Sequence, residues 1–184
     1  DSALVETPLT PPDAPFPFPE TGVELAKVYL DLEDYPATET LLTELIEKTS
    51  EPSEEHFYRG LAELGSGKYV NAIEDFTAAI NFGRSSADSF YYRAMAFLRR
   101  GRDYQETGDA DDLEKAKENF IAAIADFTEA TQRESSIAEA WFQRGLLHRD
   151  NNENDEAILD FSSFVDAEPE KPLRFFPGWQ GRRD

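Results

Sequence analysis

The sequence contains no cysteine among its 184 residues. This absence excludes disulfide bonds, thiolate nucleophiles and zinc sites built from cysteine. It also leaves the redox compartment undetermined, because no thiol is present to report on it.

Basic residues are scarce as well. Lys and Arg number 18 against 38 Asp and Glu, which gives a formal net charge of −20 at pH 7. Affinity for nucleic acid comes largely from clustered Lys and Arg, so no nucleic-acid partner is expected. The same balance opposes binding to an anionic membrane surface and favours a basic partner.

Long apolar runs are also missing. No stretch approaches the roughly 18 uninterrupted apolar residues of a membrane-spanning helix, so direct membrane insertion is not expected. The first residues, DSALVETPLT, lack the basic and then apolar order of a signal peptide. The chain begins at Asp1 and not at Met, and we expect a soluble protein, either cytoplasmic or an exported fragment, with the compartment left open.

Signatures of catalysis are absent too. The sequence has no Gly-rich phosphate loop, no HExxH pair and no nucleophile elbow. Its two histidines, His56 and His148, are interpreted as packing residues, and its 38 carboxylates make chance proximity unavoidable. We therefore expect no catalytic residue, no cofactor and no enzyme.

The sequence does contain an internal repeat. Parts of FYRGLAELGSGKYVNAIEDFTAAI, which starts at Phe57, return as FYYRAMAFLRRG with NFIAAIADFTEA, and again as WFQRGLLHRDNNENDEAILDFSSF. Phe127 and Phe161 are 34 residues apart, whereas Phe76 and Phe127 are 51 apart, so the middle copy carries 17 extra residues. A period of 34 with apolar residues at helical spacing predicts stacked pairs of helices.

The repeat resembles the tetratricopeptide repeat (TPR) family, in which Trp, a small residue, Ala, an aromatic residue and Pro recur at fixed offsets. In the last copy these positions hold Trp141, Gly145, Ala157, Phe161 and Pro169. The resemblance implies an all-α, right-handed solenoid of four TPR-like helix pairs over residues 19–171. The units span 19–52, 53–86, 87–137 and 138–171. A Pro-rich N-terminal extension (1–18) precedes them, and an aromatic and basic C-terminal tail (172–184) follows.

A second pattern couples Arg and Asp in three of the four units. The seventh position of these units is Arg and the twenty-third is Asp, whereas the first unit has Leu25 and Leu41. Because the two residue types are present or absent together, we interpret them as structural ion pairs between helices. The alternative is a row of Arg that binds a partner. The residues are Arg59, Asp75, Arg93, Asp126, Arg144 and Asp160.

The 17 extra residues of the third unit lie within RRGRDYQETGDADDLEKAKENF. Divided between the two helices, they lengthen each by about two turns and predict a protruding hairpin with its tip near 107–109. The segment also aligns with an EF-hand calcium loop, with Asp103 first, Gly108 sixth and Glu114 twelfth, but its third and fifth positions lack carboxylates. The hairpin is the preferred interpretation, and a metal site at Asp103–Glu114 stays open.

In TPR proteins the first helix of each unit lines a concave face, and the resemblance carries a partner-binding role to specific positions of this chain. The second position of each unit is acidic, and the fifth, ninth and twelfth are mostly apolar. This implies a groove with an apolar floor beside an acidic rim, and the alternative is that the apolar row is buried in a tighter superhelix. The predicted partner-binding residues are Glu54, Phe57, Leu61, Leu64, Asp88, Tyr91, Met95, Leu98, Glu139, Phe142, Leu146 and Arg149.

These features favour a non-catalytic protein–protein interaction scaffold that binds a hydrophobic or basic segment of a protein or peptide in its concave groove. The pocket with which some TPR proteins clamp acidic chaperone tails needs several basic residues, and only Lys27 is basic at the corresponding positions. The alternative function is a structural or oligomer-forming module of a larger exported or membrane-anchored protein. Its groove or stack ends would be filled by its own tails, which would also permit self-association.

Overall fold

The computed structural model describes residues 19–134 and 137–167, and this part of the chain is built from α-helices without a strand. The helices form four consecutive pairs, and the short turn within each pair makes its two helices antiparallel. The predicted tails and the end of the fourth unit, with Pro169, lie outside the described residues. The helices are α1 Pro19–Asp31, α2 Tyr35–Ile46, α3 Ser53–Gly65, α4 Tyr69–Asn81, α5 Ala87–Thr107, α6 Ala110–Arg133, α7 Ala138–Asp150 and α8 Asn154–Asp166.

A residue with a left-handed backbone lies in the turn within each pair. Glu33 (φ 57°), Gly67 (φ 80°), Gly108 (φ 69°) and Asn152 (φ 63°) occupy these four turns. Gly adopts this conformation without strain and Asn tolerates it, so the chain reverses direction within a few residues. In three of the four turns, a Gly or an Asn therefore stands where one helix must fold back onto the next.

Small residues let the two helices of a pair approach closely. A Cβ atom added at Gly60 would lie 2.9 Å from Cε1 of Phe76, and one added at Gly145 would lie 2.9 Å from Cε1 of Phe161. Phe76 and Phe127 are completely buried. Each pair also contacts the next, and α1 contacts α3 as α3 contacts α5, so the first helices of the first three units adjoin one another along one face. The predicted all-α solenoid is confirmed.

The third pair is longer than the others, as predicted. α5 has 21 residues and α6 has 24, against 12 or 13 in the remaining helices. At the tip, Gly108 ends α5, and the carboxylate of Asp109 accepts a hydrogen bond from the backbone N–H of Asp111 at 2.9 Å. Only these two residues lie outside the helices, so Asp103 and Glu114 are helical. This backbone is incompatible with a twelve-residue calcium loop.

Candidate interaction site

Three Arg–Asp pairs recur along the described part of the stack. In each pair, Nε and Nη2 of the Arg donate to the two carboxylate oxygens of the Asp on the second helix of the same unit, at 2.6 to 2.9 Å. The third nitrogen, Nη1, donates to a Thr hydroxyl of the preceding unit, at 2.9 to 3.1 Å. Each guanidinium therefore joins three helices. The groups are Arg59–Asp75–Thr43, Arg93–Asp126–Thr77 and Arg144–Asp160–Thr128.

Sequence reasoning identified the Arg and Asp residues but missed the Thr residues. Thr43, Thr77 and Thr128 all stand at the twenty-fifth position of their units, two residues after the position of the Asp. This recurrence was the available signal, but Thr is also common on helix surfaces for other reasons. Only the geometry shows that its hydroxyl receives the guanidinium of the next unit.

Burial and hydrogen bonding act in opposite directions on the pKa values of these Asp residues. Burial raises the pKa of Asp75, but hydrogen bonds from Arg59 and His56 outweigh it, so the pKa is below its usual value. Nδ1 of His56 is 2.8 Å from Oδ1 of Asp75, and its ring stacks on Phe82 at 5.7 Å. Burial raises the pKa of Asp126, where only Arg93 offsets it.

A buried carboxyl group, Glu63, lies near this network and was not singled out from the sequence. Its side chain is 6% exposed, and Oε2 has no hydrogen-bond partner within the described residues. Burial, together with the neighbouring carboxylate of Asp75, raises the pKa of Glu63 to about 8. Glu63 thus keeps its proton over most of the neutral range, and the free energy of folding depends on pH through this group.

The apolar floor predicted for the groove is largely buried. The rings at the fifth position reach between successive helices, since Phe57 lies 5.8 Å from Phe76 and 5.9 Å from Tyr92, and Tyr91 lies 5.9 Å from Phe127. The expectation that this row is exposed is therefore wrong for the second and third units. That these residues contact a partner stays a prediction, and their burial does not favour such a contact. The residues, each at most 8% exposed, are Phe57, Leu61, Leu64, Tyr91, Met95 and Leu98.

The acidic rim is accessible and is bridged by an arginine that sequence reasoning missed. Arg84, in the turn between α4 and α5, places Nη1 3.2 Å from Glu54 and Nη2 2.9 Å from Asp88. Its guanidinium carbon lies 3.7 Å from the centre of the Phe57 ring and so covers that ring. The side chains of Glu54 and Asp88 remain 47% and 32% exposed. A basic residue where the repeat usually has Pro was the available signal.

The open part of the predicted row lies in the fourth unit, on α7. Phe142 and Leu146 are half-buried and Arg149 is exposed. Phe142 packs on Phe164 at 5.1 Å and on Phe161 at 5.9 Å, both on α8, and remains partly accessible. Glu139 accepts a hydrogen bond from Nε2 of Gln143 at 2.8 Å. This helix therefore presents apolar surface next to the acidic rim.

Lys27, the basic residue at the chaperone-clamp positions, is already paired. Its Nζ lies 2.6 Å from Oε1 of Glu24 and 5.0 Å from the centre of the Tyr58 ring. The hydrogen bond to Glu24 is the main cause of the raised pKa of Lys27. The ammonium group is thus already paired with a carboxylate of its own helix.

Other kinds of site were sought in the same residues. Across 19–134 and 137–167, no group of three or more His, Asp or Glu side chains is placed to hold a metal ion. In this part of the chain, no helix combines the length and apolar character that crossing a bilayer requires.

Comparison with known proteins places this geometry among helical repeats. A model of the tetratricopeptide repeat family matches residues 23–89 and 98–172. The superkiller complex protein 3 of Mus musculus is 27% identical over 168 residues, and a DnaJ homolog subfamily C member 7 homolog of Dictyostelium discoideum is 25% identical over 148 residues. Each match covers 78% of this chain but only 11% and 26% of the respective relative. The chain thus spans about a tenth to a quarter of their length.

Solved structures show the same fold. MamA aligns with a TM-score of 0.64 and 19% identity, over 81% of this chain and 77% of MamA. The thermophilic TPR protein TTC0263 of Thermus thermophilus aligns with a TM-score of 0.66 and 18% identity, over 82% of this chain and 75% of TTC0263. The second TPR of Spaghetti (RPAP3), solved with the HSP90 peptide SRMEEVD, has a TM-score of 0.51 and 25% identity, over 63% of this chain and 92% of that structure.

The family model covers well over half of the chain, and the helix pairs align with those of known TPR structures. The Arg–Asp–Thr groups occupy the places where one helix pair meets another. The chain therefore belongs to the tetratricopeptide repeat family, whose members generally act as non-catalytic scaffolds for contacts between proteins.

Proposed function

We propose that the chain binds a protein or peptide segment with basic and apolar side chains along its concave face. The observation that carries this proposal is the acidic rim formed by Glu54, Asp88 and Glu139. These residues lie in the first turns of α3, α5 and α7, at the second position of their units, and Arg84 bridges Glu54 and Asp88. Within the rim, Arg84 pairs with Glu54 and Asp88, and Glu139 accepts a hydrogen bond from the neutral side chain of Gln143, so the carboxylates outnumber the guanidinium that pairs with them. Complementary charge steers a basic segment to this edge and fixes its register.

The fourth unit supplies the apolar part of the proposed site. Phe142 and Leu146 are half-buried on α7, beside Glu139. A few residues, aromatic ones among them, provide most of the binding energy in protein interfaces. We therefore place an apolar side chain of the partner at α7 and its basic side chains along α5 and α3.

An acidic peptide is not the ligand that we propose. The neighbour solved with the HSP90 peptide SRMEEVD supports the binding of peptides by this fold. That peptide is acidic, however, and a like-charged partner would be repelled by the rim of this chain. Lys27 is paired with Glu24 and does not compensate for the rim.

Peptide selection tests the proposal without knowledge of the natural partner. A library of random peptides is selected on the wild type and on a Glu54→Gln, Asp88→Asn, Glu139→Gln variant. Substitution of Phe57 or Tyr91 would disturb the core, so the exposed carboxylates are the appropriate target. The matched control is Glu74→Gln, Glu118→Gln, Glu156→Gln, which makes the same change in charge at positions of the second helices.

The proposal predicts that the wild type and the control enrich peptides containing Lys or Arg together with aromatic residues. The rim variant is expected to lose this enrichment, because the complementary charge is gone. Recovery of the same peptides by the rim variant would show that the partner does not use this edge.

A second candidate function, an oligomer-forming module, is supported by one observation. The outer face of α8 exposes Ile158 to 62% and Val165 to 76%. Exposed apolar side chains that lie together usually mark an interaction surface. Static light scattering over a wide range of concentration tests this candidate. A mass that stays monomeric throughout the range would reject it.

A further inference from the structure

Three units supply a Thr that accepts a hydrogen bond from the Arg of the next unit. The fourth unit has an equivalent acceptor position, on α8. Ser162 stands 34 residues after Thr128 and takes the corresponding place in the fourth unit. Oγ of Ser162 donates to the carbonyl of Ile158 at 2.8 Å, just as Oγ1 of Thr128 donates to the carbonyl of Ile124 at 2.8 Å. Thr128 then accepts Nη1 of Arg144 at 2.9 Å. Among residues 19–134 and 137–167, no guanidinium reaches Ser162.

The surface around Ser162 is an open apolar recess. It has a volume of about 430 Å³ and is lined by Ile158, Phe161, Ser162, Val165 and Asp166. The corresponding residues of α4, Ile73 and Ile80, are packed against the core because α5 covers them. In the inner units this face therefore receives an apolar surface and a guanidinium together. Within the described residues, the corresponding face of α8 receives neither an apolar surface nor a guanidinium.

We propose that residues 168–184 cover this face, with aromatic side chains on Ile158 and Val165 and an Arg side chain donating to Ser162. This segment follows α8 directly. Its residues span up to about 56 Å when extended, whereas α8 is about 20 Å long, so the segment can fold back along the helix. The assignment does not rest on the proposed function of the concave face.

The composition of the segment matches both requirements of the recess. It supplies apolar rings and several guanidinium groups within a short stretch. Between 171 and 183 the segment carries four basic residues and no acidic one, with Glu168, Glu170 and Asp184 at its two ends, and this basic stretch complements α8, whose surface carries Asp155, Glu156 and Asp166. The residues concerned are Phe175, Phe176, Trp179, Arg174, Arg182 and Arg183.

A second copy of the chain fits the recess less well. If α1 of another molecule continued the stack, it would present Leu25 at the position where α3, α5 and α7 carry Arg. It could not form the bridge to Ser162. Glu24 and Asp31, both exposed on α1, would also add negative charge to an acidic helix. The segment therefore offers an Arg donor for Ser162 and positive charge for α8, and a second copy offers neither.

A double-mutant cycle tests the proposal in the full chain. The variants are Ser162→Ala, a triple Arg174→Ala, Arg182→Ala, Arg183→Ala variant, and their combination, and the measurement is the midpoint of urea unfolding. If an Arg of the segment binds Ser162, removing both partners costs no more stability than removing the more important one. The urea midpoint of the combined variant is then no lower than that of the less stable parent variant. Ser163→Ala is the matched control. Its Oγ donates to Leu159 at 3.0 Å on another side of α8, so its effect should add to that of the triple variant. Simple additivity with Ser162→Ala would overturn the proposal.

Fluorescence supplies a second measurement that does not depend on the size of the change in stability. In a Trp141→Phe background, Trp179 is the remaining tryptophan. We expect a blue-shifted emission that moves to the red with Ile158→Ser, but not with Ile121→Ser, which alters an isoleucine on α6 that is 66% exposed. Emission typical of a solvated indole in all three proteins would contradict docking. If the coupling between Ser162 and the Arg residues appears only at concentrations where the chain has the mass of a dimer, a second copy occupies the recess. That result would overturn the proposal.

Discussion

The guanidinium of Arg93 joins α5, α6 and α4 through Asp126 and Thr77. Replacing Asp126 by Asn removes the counter-charge of a largely buried cation. We expect the free energy of unfolding to fall by about 2 to 4 kcal/mol, toward the lower part of the range for broken buried pairs, since Arg93 remains 18% exposed. Urea denaturation measures this loss. Asp31→Asn, at an exposed position of α1, is the control, and equal stability of the two variants would contradict the role of the pair.

Glu63 makes stability depend on pH. Its pKa is about 8 in the folded protein against an ordinary 4.5, because burial and the charge of Asp75 disfavour ionisation. The folded state therefore binds this proton more tightly than the unfolded state. The stabilisation is complete below the unfolded pKa and is lost as the pH rises through about 8.

The variant Glu63→Gln separates this effect from other titrations. Its side chain is neutral at every pH, so its stability relative to the wild type is expected to rise between about pH 5 and pH 8. Unfolding midpoints measured for both proteins over this range give the difference, and groups common to the two cancel. Glu118→Gln, at an exposed site on α6, should show no such trend. A difference that does not vary with pH would mean that Glu63 is ionised in the folded protein.

At the scale of elements, the α5–α6 hairpin depends on close contact between its helices. A Cβ atom at Gly101 would lie 2.6 Å from Cε1 of Phe120 and 3.1 Å from Cβ of Asn119. The ring could turn aside, but Cβ of Asn119 is fixed to the backbone. We expect Gly101→Val to lower the free energy of unfolding by about 1 to 3 kcal/mol through overpacking. Ala125→Val, at an exposed position of α6, has the same β-branch without the clash, and its effect should be clearly smaller.

The helix pairs and the hairpin could be predicted from the sequence because their signals are local. Gly108 and Asp109 mark a turn, and apolar residues recur at helical spacing around Phe76 and Phe127. The Arg–Asp pairing also followed from its coincidence in three units. The third contact of each Arg did not, because a Thr on a helix surface has no distinctive local pattern.

The burial of the apolar row could not be predicted, because it depends on contacts between units. Phe57 and Tyr92 belong to different helix pairs, and their 5.9 Å separation reflects how tightly the stack closes. Arg84 completes the burial by covering Phe57 from the turn between α4 and α5. Neither the curvature of a stack nor the path of such a side chain can be read from periodicity.

For the whole molecule, these packing arrangements bury the apolar row of the second and third units and leave charge as the accessible feature there. The net charge is −20, and the rim concentrates three carboxylates in the first turns of α3, α5 and α7. The buried floor stabilises the stack, and we propose that the rim together with Phe142 is available to a partner. The predicted site therefore divides into a structural part and a proposed binding part.

The measurement that tests this account most directly is a titration of the ¹⁵N-labelled chain with a basic, aromatic peptide selected on the wild type. Binding along the rim predicts shifts of the amide signals in the first turns of α3, α5 and α7 and at Phe142. It also predicts that affinity weakens as the salt concentration rises. Shifts confined to the second helices or to the hairpin tip at Gly108, with the first helices unperturbed, would contradict it.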